Sequence, residues 1–384
     1  MTFKKWRAVV ALMLALALVA AACGSSSDDT TTTADGGTTG TTGTTGTTGT
    51  TGTTGTTAGG EALKVAFVHV SPVSDKGWSW AHDQGAKFLE ANMNVEVTTL
   101  EAIPEGPDSQ RVFEDLAAQG NKLIFGTSFG YMDPMLAAAE NFPDVAFMHA
   151  SGFKTGPNMG NYFAAIEEGR YLSGMAAGVA TTTNLIGYVA AFPIPEVIRG
   201  INAFALGVRE TNPDAEVQVV WTSTWFDPPK EGTAAQSLID AGADVIAMHQ
   251  DSTQPGQVAD DAGAKWVGYN ADTGDVFPNA WLTAPIWDWG AYYLRVAQDV
   301  AAGTWQPEVF YGNLADGTVD MAAFGSSVDQ ATQDLIATRR AEIVAGTFAV
   351  FPDPIVDQGG NSRELGDIFG FDYFVEGVIG SDSG

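Results

Sequence analysis

Gly126-Thr127-Ser128-Phe129-Gly130 fits the G-x-S-x-G pattern of a nucleophile elbow and stands between a strand-like run and a helix-like one. His149 and His249 follow, with several Asp, in a chain order that a Ser/His/Asp hydrolase permits. Two observations count against that chemistry. No HGGG-type oxyanion loop occurs, and a pattern with three fixed positions recurs easily in a chain with 45 Gly. Phosphate cradles are missing as well, since neither G-x-x-x-x-G-K-[ST] nor G-x-G-x-x-G is found. His69, His82, His149 and His249 lack the pairwise spacing of metal ligands and read as satisfied or solvated histidines. Asp260-Asp261 and Glu167-Glu168 read as solvated helix ends. Neither a cofactor nor a metal is expected, and the chain is not expected to be an enzyme.

A different chemistry recurs along the chain. Aromatic and uncharged polar residues follow one strand-like run after another: Ser71 to Trp80, Thr127 to Tyr131, Phe192 to Pro195, Thr224 to Asp227, His249 to Ser252, Asn270 to Asp272, and Trp287 to Trp289. Trp and Phe at loop tips are costly to leave in water. Flat rings beside carboxylates and amides suit a small planar ligand that forms hydrogen bonds. The candidate ligand-binding residues are Asp75, Trp78, Trp80, Ser128, Phe129, Phe192, Trp225, Asp251, Asn270, Asp272 and Trp287.

The elements that must position these loops read as α/β. Strands over 63–70, 95–100, 122–126 and 145–150 alternate with helices near 79–92, 108–119 and 133–141. The β-branched and aromatic runs have the near-continuous apolar character of strands buried on both faces. A strand-like 161–166 precedes a break near 163–170, and the rhythm restarts with strands over 185–191, 217–222, 244–249 and 265–269. Such alternation implies right-handed βαβ units and parallel sheets. Elements over 281–346 imply that the chain returns to the first half and crosses back. The expected architecture is two doubly wound parallel-sheet lobes, one of 63–166 plus about 281–313, the other of 167–280 plus about 314–384. Open parallel sheets bind ligands beyond the carboxyl ends of their strands, where the aromatic loops fall.

Composition narrows the partners. With 18 Lys+Arg against 46 Asp+Glu, the net charge of −28 excludes a basic footprint for nucleic acid. The single Cys allows neither an internal disulfide nor a Cys-based zinc site. Lys4, Lys5 and Arg7 precede an apolar run of about 15 residues, the pattern of a secretory signal over 1–22 and short for a membrane span. That run ends Val19-Ala20-Ala21-Ala22-Cys23-Gly24-Ser25, which resembles the lipobox of bacterial lipoproteins, with Ala20 where Leu is usual. The resemblance implies cleavage before Cys23, lipidation of Cys23 and an extracytoplasmic protein held to the membrane. Residues 23–62, with Thr-Thr-Gly repeated from Thr38 to Gly55, have almost no apolar surface and read as a disordered tether.

Further segments carry a family resemblance. Asp75-Lys76-Gly77-Trp78, Glu167 to Gly174 and Ile194 to Phe204 resemble the basic membrane protein (BMP) family, as do Trp225-Phe226-Asp227-Pro228, Leu282 to Trp287 and Phe374-Val375-Glu376-Gly377. The match covers roughly 63–380. It implies a lipoprotein substrate-binding component of an ABC importer, with a type I periplasmic-binding-protein fold and hinges near Ile166, Ala271 and Asn313. Nucleoside binders of this family stack a purine between aromatics and hold ribose with an Asp and a Lys. The aromatic matches Trp78, the Asp matches Asn270 or Asp272, and the Lys falls at Trp287, a departure from the pattern. Losing that cation implies a free purine base, adenine first, rather than a nucleoside. Trp78 with Phe192 or Trp225 is expected to sandwich the ring, Asp251, Asn270 and Asp272 to pair with its edge, and Trp287 to cap the pocket. Nucleosides, riboflavin-like rings and sugars remain alternative ligands, and a surface sensor of the same fold is the alternative role. An ABC permease is the expected partner, and a monomer the expected state.

Overall fold

Strands rich in Val, Ile, Phe and Tyr, separated by Ala-rich helices, build two sheets in the computed structural model, which describes residues 61–384. The signal peptide, Cys23 and nearly all of the tether lie outside the described residues. In the first series β1 (Leu63–Val68), β2 (Val95–Leu100), β3 (Leu123–Gly126), β4 (Ala146–Ala150) and β5 (Met159–Ala164) are joined by α1 (Trp78–Asn92), α2 (Ser109–Ala118) and α3 (Met132–Asn141). Helix α4 (Ile166–Ala180) leads to the second series. This comprises β6 (Leu185–Ala190), α5 (Pro195–Thr211), β7 (Glu216–Trp221), α6 (Pro228–Asp240), β8 (Val245–His249), α7 (Gln254–Ala262), β9 (Lys265–Val267) and β10 (Trp281–Thr283). The chain then forms β11 (Pro285–Trp287), α8 (Gly290–Ala302), β12 (Val309–Gly312), β13 (Val319–Met321), α9 (Gln330–Val344), β14 (Ile355–Val356), β15 (Ser362–Arg363) and β16 (Val378–Ile379).

The first sheet has the order β12-β5-β4-β3-β1-β2, the second β10-β9-β8-β6-β7-β16, and their strand pairs are parallel. This is the α/β, two-lobed doubly wound class that the sequence implies. Every residue of β3, β4 and β8 is buried, as strands covered by helices on both faces require.

Three segments pass between the sheets. Helix α4 makes the first passage, the stretch from Ala284 to Asp288 the second, and the stretch from Asn313 to β13 the third. The second and third pair with each other, β11 running antiparallel to β13. Ala271 is therefore not at a crossing. The chain between β9 and β10 stays with the second sheet, and Asn270 only bridges Ile286 on the crossing strand. The assignment of 281–313 to the first lobe also needs correction at its start. Strand β12 joins the first sheet and α8 packs on α1, but β10 pairs with β9 in the second sheet.

Helix α4 occupies the region read from sequence as a break. Twelve of its fifteen residues are buried, so it shows no polar stripe from which helical periodicity could be read. Its glycines explain the burial. A Cβ at Gly174 would lie 2.1 Å from the Phe204 carbonyl oxygen of α5, and one at Gly207 2.0 Å from that of Tyr171. The two helices thus touch backbone to backbone, an approach only glycine permits. Gly174→Ala is expected to lower the unfolding free energy by about 1–3 kcal/mol through overpacking. Gly366→Ala, with open space around it, should change it by less than about 0.5 kcal/mol. Urea denaturation measures both.

Candidate ligand-binding site

The carboxyl ends of the two sheets face one cavity. From the first sheet come Trp78 at the start of α1, Ser128 and Phe129 after β3, Ser151 after β4, and Phe163 on β5. From the second come Ile194 and Glu196 at the start of α5, Trp225 after β7, His249 and Asp251 at the end of β8, and Tyr269 after β9. They surround about 430 Å³ of atom-free space, the mouth included. Local structure fixes the walls. Asp75 accepts hydrogen bonds from Gly77 N (2.7 Å), Trp80 N (3.2 Å) and Ser71 Oγ (2.7 Å), which folds the loop that presents Trp78. The Trp78 indole N–H donates to the Thr127 carbonyl, and its ring meets Trp287 edge-on at 5.5 Å. Phe192 packs edge-on against Trp225 at 5.1 Å. The Arg170 guanidinium lies 3.6 Å from the centre of the Tyr269 ring and donates to the Met248 carbonyl.

Beneath these rings lies a buried polar layer. Glu167 pairs with Arg199 (3.3 Å) and accepts from Tyr311 (2.9 Å), while Glu168 accepts from Leu314 N (2.8 Å). Glu167 and Glu168 are therefore not a solvated helix end. Glu167 is buried, because α4 starts inside the molecule. Glu196 Oε2 lies 3.4 Å from His249 Nε2, while Glu196 Oε1 and His249 Nδ1 have no partner. Burial raises the Glu196 carboxyl to about 7 despite the nearby Arg199 and Arg170, and it raises Asp75 to about 6. Burial also drives His249 well below its ordinary value, so the pair is not a charged bridge.

Hydrolase geometry is not formed. Ser128 Oγ donates to Glu105 Oε1 (2.6 Å), and His149 Nε2 meets the Ser128 carbonyl (2.8 Å), not its hydroxyl. His69, His82, His149 and His249 are all buried rather than solvated. His69 is held by Thr127 Oγ1 (2.9 Å) and His82 by Tyr293, and burial lowers His69 to about 3 and His149 to about 4. Among the described residues no cluster of His, Cys, Asp and Glu could hold a metal ion.

The sequence profile for PnrA-like ABC transporter substrate-binding proteins, the Bmp family, matches residues 62–349. This chain belongs to the Bmp family. Its members are substrate-binding proteins, not enzymes. A protein of Haloferax volcanii, named as an ABC transporter glucose-binding protein, is 43% identical over 84% of this chain and 81% of its own. A purine-binding protein of Brucella abortus is 42% identical over 83% of this chain and 93% of its own. The structure of an ABC transporter solute-binding protein from Aeropyrum pernix K1 superposes with a TM-score of 0.66 over 76% of this chain and 94% of that one. At 17% identity it bears on the fold alone.

Within this Bmp-family scaffold the expected site residues separate into three groups. Trp78, Ser128, Phe129, Trp225 and Asp251 line the cavity together. Asp75 and Phe192 stand behind them, the first holding a loop, the second supporting Trp225. The rest point elsewhere. Trp80 packs against the core, and exposed Asp272 accepts from Gly274 N (2.9 Å). Trp287 does not cap the pocket. Its ring is buried against Trp289 (5.0 Å), and its indole N–H donates to Asn270 Oδ1 (2.8 Å). Ser151, Phe163, Ile194, Glu196, His249 and Tyr269 complete the lining. Ser151 and Tyr269 follow strands and obey the same positional rule as the rest. Phe163 and Glu196 sit within regular elements, where no loop signal marks them.

The two lobes meet at the cavity mouth. A Cβ on Gly77 would lie 2.1 Å from the Asp251 carbonyl oxygen, and Lys76 pairs with Asp275 at 3.3 Å. Gly77→Ala is therefore expected to prop the lobes apart. Overpacking of about 1–3 kcal/mol in this contact corresponds to about 5- to 150-fold weaker ligand binding. X-ray scattering should show a larger radius of gyration for the variant than for the parent at saturating ligand.

Proposed function

We propose that this chain is an extracytoplasmic substrate-binding lipoprotein of an ABC importer. It captures a free purine base, adenine first, between its two lobes and delivers it to a permease, and acylated Cys23 with the Thr/Gly tether holds it at the membrane. Among the described residues no helix is long and apolar enough to cross a membrane. The observation that carries the ligand reading is the lining of the cavity. Rings from both sheets, Trp78, Phe129 and Phe163 on one side and Trp225 and Tyr269 on the other, meet around carboxyl groups of Asp251 and Glu196. Opposed aromatic walls bind a flat heterocycle by stacking, and a few polar groups fix its edge.

A base is favoured over a nucleoside by Asn270 and Trp287. In the family resemblance the ribose-binding Asp matches Asn270 or Asp272 and the Lys matches Trp287, yet here Asn270 and Trp287 bond to each other and none of the three lines the cavity. The relative named for purine binding agrees with this reading. The relative named for glucose binding shares the scaffold, and a sugar also stacks on rings. A sugar, however, presents hydroxyls around its whole rim, and the Ser128 hydroxyl is already committed to Glu105. Ligand capture closes the lobes by rotation about the crossing segments, and no covalent step is involved.

Titration calorimetry with adenine, adenosine and glucose tests the proposal. Adenine is expected to bind most tightly. A preference for adenosine overturns the free-base reading, and binding of glucose alone overturns the purine reading. Trp225→Ala is expected to cost about 1–3 kcal/mol of adenine binding, the range for loss of one base-stacking ring.

A further inference from the structure

Asp251 is the cavity carboxyl with no protein partner. Its backbone is pinned, N–H donating to the Trp225 carbonyl (3.0 Å) and C=O pressed against Gly77. The residue is 4% exposed, and among the described residues no hydrogen bond or ion pair holds its carboxyl. The groups around it are acidic on every side. Asp75, from the loop before α1, holds Gly77 N, and Glu105, from the loop after β2, holds cavity-lining Ser128. Glu231 of α6 accepts from the adjacent Ser252, and Glu196 of α5 lines the same cavity. His249, on its own strand, and Tyr269, after β9, also line the cavity, and the nearby cation Lys76 is turned to Asp275. Arg170 and Arg199 lie in the layer beneath, engaged with Met248 and Glu167. A buried carboxylate without a partner, among four more carboxyl groups, is strongly disfavoured. Burial, reinforced by Asp75, Glu231, Glu105 and Glu196, lifts its pKa well above the usual carboxylate range.

We propose that Asp251 meets its ligand as a neutral carboxylic acid, its hydroxyl donating to a ring nitrogen and its carbonyl accepting the neighbouring exocyclic N–H of a 6-aminopurine. The inference rests on the purine reading above and adds the protonation state that makes the pairing work. A neutral carboxyl offers one donor beside one acceptor, the complement of adenine's amine and adjacent ring nitrogen. The ionised form offers acceptors only and sets an oxygen lone pair against the ring nitrogen lone pair. Adenine binding should therefore weaken once Asp251 ionises, and ligand bound above that point should carry a proton in with it.

Calorimetric titration of the purified protein with adenine, from about pH 6 to about pH 9 and in two buffers of different ionisation heat, reads both effects. The affinity is expected to fall at least tenfold across this range, with close to one proton taken up per adenine at the alkaline end. Asp251→Asn keeps a donor beside an acceptor at every pH. It is expected to bind adenine several-fold more weakly at about pH 6. Glu196 lines the same cavity and its carboxyl is raised to about 7, so the slope is assigned in a Glu196→Gln background. There the fall in affinity and the proton uptake should persist, and adding Asp251→Asn should remove both. A flat profile in the parent, loss of the slope in Glu196→Gln alone, or a slope that survives in the double variant overturns the inference. Absence of purine binding at every pH overturns the purine reading itself. Adenine binding with a flat profile leaves that reading intact and removes only the neutral acid.

Discussion

Carboxyl groups buried among aromatic rings are the constraint on which this site depends. Each must be paired, protonated or left for something outside the chain. The molecule uses all three solutions within one layer. Glu167 is paired with Arg199 and Tyr311, and Glu196 stands against a histidine that burial keeps neutral. Asp251 has nothing. This gradient runs from the crossing helix toward the cavity, so the least satisfied groups are those a ligand can reach. Aromatic walls sharpen the effect, because they exclude water that would otherwise solvate the acids.

The connectivity is compatible with closure. The chain passes between the sheets three times, and two of the passages pair as β11 and β13. A short antiparallel ribbon and one buried helix can bend or pivot without breaking either sheet. The opposite edge of the cavity has a lighter fastening, an exposed Lys76–Asp275 pair and the bare Gly77 backbone against Asp251. An exposed ion pair of this kind contributes at most about 1 kcal/mol. Such a mouth opens at little cost, while the ribbon keeps the lobes in register.

The sequence made the sheets legible because parallel strands buried on both faces read as apolar runs, and β2 spans the residues anticipated for it. Helix α4 was hidden for the opposite reason, since buried Glu167, Arg170 and three glycines imitate a polar, flexible linker. Loops after strands lead to Trp78, Ser128, Phe129, Trp225 and Asp251, which line one cavity, because several of these loops lie at the carboxyl ends that face it. The rule fails for Trp287 and Asn270, which have the right chemistry and chain position but satisfy each other. No single-sequence pattern reveals that mutual bond. Glu196 carries no such signal, because a carboxylate in the first turn of a helix ordinarily needs no explanation beyond the helix dipole.

The Trp287–Asn270 pair also bears on how one scaffold can serve ligands of different size. An indole N–H buried without an acceptor costs about 1–3 kcal/mol, so Trp287 at this position demands a partner. Asn270 provides it from the adjoining loop, on a backbone held at φ +71. Once joined, the two behave as one plug, and replacing either alone leaves a polar group stranded. Gaining a sugar-binding subsite would then require both positions to change together, an Asp in place of Asn270 and a cation in place of Trp287. Trp225 and Asp251 sit outside this couple, whereas the Trp78 ring meets Trp287 edge-on at 5.5 Å.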